Sequence, residues 1–450
     1  MVLASLSVLL LVCAATAEFN IVRHVSHAPR SLEPAVIPEA QFVVPITSTA
    51  PRRKSKKSNL ESLRAFAAPN NTAVLEGADF DQEYLTEVTV GGQTFTAIVD
   101  TGSSDTWLIN KDFKCFNLTG FPESTETCGF GSAGFDTNAS STFQSFPKVS
   151  FNISYGDGEF LSGGLGFDTV SVGGLTVTQQ EIGVPDLAAW NGDGVNSGLI
   201  GLAYSGLTSA FNTTDPTKAS SKNHIPYDPF FFTAVKQGAV SNPFFSLALN
   251  RGALVVNATE DLNLGFIAFG GMPPVDLDKT AVTVPVQGYS ASTGEPSSTD
   301  AVFFYYTVDV DAYTFPGSTK VATSNNNTIL DSGTTLNLVP TKVAKAYNAQ
   351  FVPKATLDRD SGLYFVDCNA TVPAFSVTLG GKVFPIDARD QILDAGTDDD
   401  GNTVCITGTQ DGGADTPDNV FILGDVFLHN VVSTFNIQTN ELTVTRRKKY

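Results

Sequence analysis

The chain has 450 residues, of which only 16% are charged, and its net charge is −19. That length holds two or three domains with a large core, and so acidic a balance argues against nucleic acid or an anionic membrane as a partner. Thirty-nine glycines and 33 phenylalanines, among many Val and Thr, favour short strands and tight turns over long surface helices.

Residues 1–17 read as a signal peptide: Leu3 to Val12 is apolar, and Ala15-Thr16-Ala17 is a small-x-small cleavage site. The run has no preceding Lys or Arg, but it is too short for a membrane span. The C-terminus, Arg446-Arg447-Lys448-Lys449-Tyr450, is charged, unlike a lipid-anchor signal. These features predict an exported chain without an anchor, in the medium or in a vacuole. Residues 18–68 differ in character from the rest of the chain, with five prolines, few strand patterns and the basic run Arg52-Arg53-Lys54-Ser55-Lys56-Lys57. Residues 1–68 carry eight Lys/Arg against four Asp/Glu, whereas the remainder carries 19 against 42. A basic leader on an acidic body predicts a propeptide held by charge and loosened by acid. A flexible basic linker, cut by a trypsin-like or dibasic-specific protease, fits the same residues.

From Tyr84 the pattern is β. Val88, Val90, Phe95, Ile98 and Val99 lie around Gly91-Gly92, and the design recurs around Gly173-Gly174 and Gly380-Gly381. Three such hairpins predict an all-β architecture. The first hairpin runs into Ile98-Val99-Asp100-Thr101-Gly102-Ser103, and Ile329-Leu330-Asp331-Ser332-Gly333-Thr334 repeats that pattern far downstream. An Asp at the end of a buried strand is costly unless its charge is used or hydrogen-bonded. Leu199-Ile200-Gly201 follows the first motif and Ile422-Leu423-Gly424 the second. Two short helices are readable between them. In one, Asp228 caps, Pro229 sits in the first turn and Gly238 closes the segment. In the other, Pro340 opens an apolar face of Val343, Ala344, Tyr347 and Phe351. Phe244 to Leu249 and Leu264 to Phe269 read as strands flanking a connection near residue 252.

Both Asp motifs, Ser154-Tyr155-Gly156-Asp157-Gly158, Trp107 and the two apolar-apolar-Gly segments resemble the pepsin-like aspartic proteases, most of all the secreted fungal ones, from about Ala78 to Val444. The resemblance implies an all-β, bilobal fold with pseudo-twofold symmetry and few short helices. It divides the chain into a signal peptide (1–17), a propeptide (18–68), an N-terminal lobe (69–252) and a C-terminal lobe (253–450). In each lobe the apolar-apolar-Gly segment would cross beside the Asp loop, its Gly allowing close backbone approach. The implied activity is a secreted aspartic endopeptidase made as a zymogen, acting at acidic pH on an extended peptide or unfolded protein. It would prefer large apolar residues at the scissile bond, work as a monomer and be inhibited by its own propeptide.

Peptide hydrolysis needs an activated water and a proton for the leaving nitrogen. Two close carboxylates supply both, because like charges at short range leave the pair sharing one proton. Asp100 and Asp331 are that dyad by resemblance, with no cofactor and no metal. Thr101 and Ser332 would bond across the lobes, Ser103 and Thr334 would donate to the outer carboxylate oxygens, and Gly102 and Gly333 would admit backbone N–H groups. Ser332 stands where many relatives have Thr and keeps the hydroxyl. Tyr155, Gly156 and Asp157 resemble the flap that closes over substrate, with Trp107 receiving the Tyr155 hydroxyl in a hydrogen bond. Relatives with Asp at the 157 position accept Lys before the scissile bond, which implies modest Lys tolerance.

Four cysteines remain after the signal, which allows three pairings. The motif repeat puts one pair in each half, which favours Cys115–Cys128 and Cys368–Cys405, as disulfides in an exported chain. The Cys115 to Cys128 loop is longer than the tight loop of the best-known relatives and should lie near the cleft rim. Sequons begin at Asn70, Asn117, Asn138, Asn152, Asn212, Asn257, Asn326 and Asn369, as candidate glycosylation sites.

Other chemistries fit poorly. Gly129-Phe130-Gly131-Ser132-Ala133-Gly134 matches a dinucleotide fingerprint but follows a Cys loop, not a strand feeding a helix. There is no G-x-S-x-G elbow, and beyond the leader only His224 and His429 remain for a serine triad. Asp398-Asp399-Asp400-Gly401 lacks the rest of a calcium loop and reads as a solvated turn. The alternative from another class is a catalytically inactive pepsin-like binding protein, which a damaged Asp motif or flap would signal.

Overall fold

The computed structural model of the protein describes residues 36–47, 83–131, 134–155, 158–192, 194–252, 263–290, 301–318, 327–359, 361–398, 400–415 and 419–450. The signal peptide, most of the leader with its basic run, Gly156, Asp157, Ser132, Ala133, Asp399 and the sequon residues Asn70, Asn257 and Asn326 lie outside the described residues.

The three predicted hairpins form where expected. Gly91-Gly92, Gly173-Gly174 and Gly380-Gly381 each place both turn residues at positive φ, between 50° and 86°. Only a turn with that twist matches the strands it joins, and only glycine adopts it freely. The first joins Leu85–Val90 to Gln93–Asp100, the second Phe160–Val172 to Leu175–Ala189, and the third Phe375–Leu379 to Lys382–Ile386.

One sheet of 16 strands runs through the molecule. Its first half packs Gln144–Ser154, Phe160–Val172 and Leu175–Ala189 beside Thr106–Leu108, Gly198–Gly201 and Gln93–Asp100. It continues through Phe42–Thr47, Asn263–Phe269, Phe244–Leu249, Val431–Asn436 and Glu441–Arg447 to Leu277–Pro285. Smaller sheets complete the second half. One of five strands carries Thr328–Leu330 between Thr307–Val308 and Phe421–Leu423. The fold is thus all-β and bilobal, with α-helices only at Phe230–Lys236, Thr341–Asn348 and Asp425–Leu428 among the described residues.

Phe42–Thr47 lies inside the segment read as a leader, yet it is a strand of the main sheet. It pairs antiparallel with Asn263–Phe269 along its whole length and touches Leu85 through Thr47 alone. Val44 and Ile46 are buried, and Val44 packs against Gly173, where an added Cβ would lie 2.1 Å from its Cγ2. Pro45 cannot donate to a ladder, but among the described residues this strand is paired on its second side only at Thr47, so no partner is lost at Pro45.

The helix at 230 differs from its sequence reading. Pro229, not Asp228, is its N-cap, and the helix begins at Phe230. The Asp228 carboxylate instead pairs with Lys236 of that helix. The helix after Pro340 buries Val343, Ala344 and Tyr347, with Phe351 beyond it. Both disulfides are present, Cys115–Cys128 and Cys368–Cys405. Of the described sequon residues, Asn138, Asn212 and Asn369 are exposed, and Asn117 and Asn152 are half-buried. Asp398 accepts N–H bonds from Asp400 and Asn402, as a turn.

Candidate active site

Two strands deliver the two aspartates. Gln93–Asp100 ends at Asp100 and pairs in parallel with Gly198–Gly201, setting Gly201 opposite Asp100. Thr328–Leu330 leads into Asp331 and pairs in parallel with Phe421–Leu423, setting Leu330 opposite Leu423. The crossing glycines are required by space: a Cβ on Gly201 would lie 2.5 Å from the Ser104 backbone, and one on Gly424 2.1 Å from the Thr334 carbonyl. The two halves thus repeat one local design.

The loops lock to each other. Thr101 N–H donates to Ser332 Oγ at 3.1 Å, and Ser332 N–H donates to Thr101 Oγ1 at 3.0 Å. The Thr101 hydroxyl donates to the Leu330 carbonyl at 3.0 Å, and the Ser332 hydroxyl to the Val99 carbonyl at 2.9 Å. Thr101 and Ser332 are both buried, so each bond avoids a desolvation penalty of about 1–3 kcal/mol. Ser332 provides every bond a Thr hydroxyl would.

Asp100 and Asp331 meet at this junction, 6% and 5% exposed. Gly102 N–H donates to Asp100 Oδ1 at 2.7 Å, and the Ser103 hydroxyl donates to Asp100 Oδ2. In the other half, Gly333 N–H donates to Asp331 Oδ1 and Thr334 Oγ1 to Asp331 Oδ2, both at 2.8 Å. The glycines also face the opposite carboxylate. A Cβ on Gly102 would stand 2.4 Å from Asp331 Oδ1, and one on Gly333 2.6 Å from Asp100 Oδ1. Burial pushes the Asp100 carboxyl well above its ordinary range, the Asp331 charge adds to this, and the Ser103 and Gly102 hydrogen bonds oppose it. Such a pair holds a proton that a lone exposed carboxylate would release.

Tyr155 ends the strand pair Gln144–Ser154 and Phe160–Val172, with its N–H on the Glu159 carbonyl at 2.8 Å. Burial raises the phenol's pKa, and the Asp100 charge raises it further. Trp107 and Tyr155 are hydrogen-bonded, but in the sense opposite to the sequence reading: Trp107 Nε1–H donates to the Tyr155 oxygen at 2.8 Å. Indole has only a donor, which fixes that direction.

Sequence reasoning missed several neighbours. Trp190 packs edge-on to both Trp107 and Tyr155, at 5.4 and 5.6 Å between centroids. It is one of only two tryptophans in the chain, which was the available signal. Asp105 is buried behind the site, where Oδ1 accepts from the Tyr227 hydroxyl and from Ser209 N–H. Burial raises its pKa from 3.8 to about 6, against the Tyr227 and Ser209 hydrogen bonds. A raised folded-state pKa contributes stability that is full below about 3.8 and lost as pH rises through about 6. Asp105→Asn should therefore lessen the fall in unfolding free energy between pH 4 and pH 7, by up to about 3 kcal/mol at the upper end, as read by urea unfolding at each pH. An equal fall in both proteins would show that Asp105 does not titrate there.

The dinucleotide-like glycines serve packing. A Cβ on Gly129 would lie 2.3 Å from the Gly192 carbonyl, and one on Gly131 2.1 Å from that of Val195. No group of three or more His, Cys, Asp or Glu able to hold a metal occurs among the described residues. No helix among them is long and apolar enough to cross a membrane.

The eukaryotic aspartyl protease family model matches residues 83–446. A probable aspartic-type endopeptidase of Aspergillus fumigatus is 38% identical over 385 residues, covering 85% of this chain and 82% of its own length. Penicillopepsin-3 of Penicillium janthinellum is 31% identical over 373 residues, covering 83% and 80%. The crystal structure of an aspartic proteinase from Irpex lacteus superposes with a TM-score of 0.60 at 22% identity, over 90% of this chain and 97% of that one, and so shares the fold.

Proposed function

The chain belongs to the eukaryotic aspartyl protease family as an aspartic-type endopeptidase, and from that premise we propose a secreted, acid-acting enzyme, made as a zymogen, that hydrolyses peptide bonds through Asp100 and Asp331. The observation that carries the reading is the mirrored support of two buried carboxyls, each held by a glycine N–H and a hydroxyl three residues on. The ionised partner takes a proton from a water between them, and that water attacks the carbonyl carbon. The protonated partner polarises the carbonyl oxygen and supplies the proton that leaves with the amine. No covalent intermediate forms. Tyr155, at the base of a flap that includes Gly156 and Asp157, closes over an extended peptide, and its aromatic neighbours favour large apolar residues beside the scissile bond.

Residues 1–17 act as a signal peptide and 18–68 as a propeptide, ahead of lobes at 69–252 and 253–450. The strand Phe42–Thr47 supports the zymogen reading, since a leader laddered to Asn263–Phe269 is not a free tail. The test is cleavage of a denatured protein by leader-free material from about pH 3 to about pH 7, the range over which a carboxyl pair should switch off. Cleavage should be strongest in acid and fade towards neutrality. No cleavage at any pH would favour an inactive pepsin-like binding protein.

A further inference from the structure

The Cys115–Cys128 loop is built into the aromatic cluster beside Tyr155. Lys114–Phe116 pairs in parallel with the end of Leu175–Ala189, setting Cys115 opposite Ala188. At the loop's other end, Gly192 N–H donates to the Cys128 carbonyl at 2.9 Å and Gly194 N–H to the Gly129 carbonyl at 2.6 Å. The disulfide therefore joins two segments that hold the chain on either side of Trp190. Their approach is close: a Cβ on Gly192 would lie 2.4 Å from the Gly129 carbonyl.

Two residues past this loop, Phe130 stacks on the Trp190 face, with centroids 5.9 Å apart and planes 10° from parallel. Phe113 meets Phe130 edge-on at 5.2 Å, and Trp190 meets Tyr155 edge-on at 5.6 Å. Beside Trp190, Asn191 N–H donates to the Glu159 carboxylate at 2.7 Å, and Glu159 in turn holds the Tyr155 N–H through its carbonyl. The loop, the Trp190 segment and the base of the flap are thus one packed unit.

We infer that Phe130 and Trp190 are positioning residues that hold Tyr155 in its place on Trp107, and that the Cys115–Cys128 disulfide keeps both rings in place. The inference rests on the endopeptidase reading and extends it to a loop outside the Asp motifs. Without Phe130 the Trp190 face is open, and the Tyr155 ring loses the backing that fixes its angle. Such a loss weakens substrate and transition state alike, which raises KM and leaves kcat nearly unchanged.

The test compares leader-free wild type, Phe130→Ala and the double variant Cys115→Ser/Cys128→Ser on a peptide with Phe at the scissile bond. KM should rise by about 2- to 12-fold, the range an aromatic pair supplies, with kcat within about 2-fold. Tryptophan emission should shift in both variants, because the chain's only tryptophans, Trp107 and Trp190, both lie in this cluster. Phe130→Tyr, which keeps the ring, should restore both readouts. Unchanged KM and emission in a folded Phe130→Ala, or a fall in kcat at constant KM, would overturn the inference. If Phe130→Ala does not fold, Phe130→Leu keeps the bulk, removes the flat face and decides on the same readouts. Failure of the wild type itself to cleave would overturn the endopeptidase reading, and the emission shifts would still judge the stack.

Discussion

Replacing either dyad residue, Asp100→Asn or Asp331→Asn, should lower kcat at acidic pH by about 100- to 10,000-fold, the range attached to a general acid or base. In the proposed mechanism each carboxyl has a job the amide cannot do, since Asn neither accepts a proton from water nor gives one to the leaving nitrogen. The loss should come without unfolding. Asn keeps an oxygen for the Gly102 or Gly333 N–H and a shape close to the original. The stability response at Asp100 has a definite sign. Its folded-state pKa is raised, so its contribution is full below the ordinary value of 3.8 and lost as pH rises through the folded value. Asp100→Asn should therefore gain stability relative to wild type as pH rises towards neutrality. Steady-state kinetics and melting curves on the same samples check both statements. Persistent acid cleavage in either variant would remove the dyad assignment.

The second large effect is expected far along the chain from both motifs. Asp390→Ala should cost about 3–5 kcal/mol, the usual result of breaking a buried ion pair from one side. The Asp390 side chain is 0% exposed and that of Arg251 10%. Arg251 grips it with two bonds, Nε to Oδ1 at 2.6 Å and Nη2 to Oδ2 at 2.8 Å. The His429 ring adds a contact at 3.2 Å, and Asn430 Nδ2 donates at 2.8 Å. Burial pushes the Asp390 carboxyl up, but its His429 and Arg251 contacts outweigh burial and hold it below 3.8. Its stabilising contribution is therefore present above 3.8 and lost only as pH falls through a lower value. The cluster also ties in distant segments, because the Tyr84 hydroxyl lies 2.6 Å from His429 Nε2 and Arg251 stacks on Tyr450 at 4.6 Å. An exposed pair such as Lys218–Asp215 should by contrast contribute little, since solvent screens it. Urea unfolding of Asp390→Ala, Arg251→Ala and the double variant forms the check. The double variant should lose much less than the two single losses combined. Additive losses would mean the two side chains do not act as a pair.

Much of this protein is written locally. The glycine pairs at 91–92, 173–174 and 380–381 specify hairpins, because turn twist depends on two adjacent residues. The repeated aliphatic-aliphatic-Asp motifs mark both carboxylates, because a charge at the end of a buried strand is rarely without purpose. The helix start near 228 is not legible on local grounds, because Lys236, about two turns on, draws the Asp228 carboxylate away from the helix end.

What the tertiary structure alone decided is which distant segments meet. The strand Phe42–Thr47 carries a proline and reads weakly by itself, and it becomes a strand because Asn263–Phe269 offers it an unfilled ladder. Thr101 and Ser332 bond across 231 residues of chain, and Arg251 and Asp390 across 139. Phe130 and Trp190 stack because the disulfide and the Gly129–Gly192 contact bring their backbones together. A sequence states which groups carry charge, rings or tight turns. Their free energies depend on burial and on partners, and those are set only when the two halves close on each other.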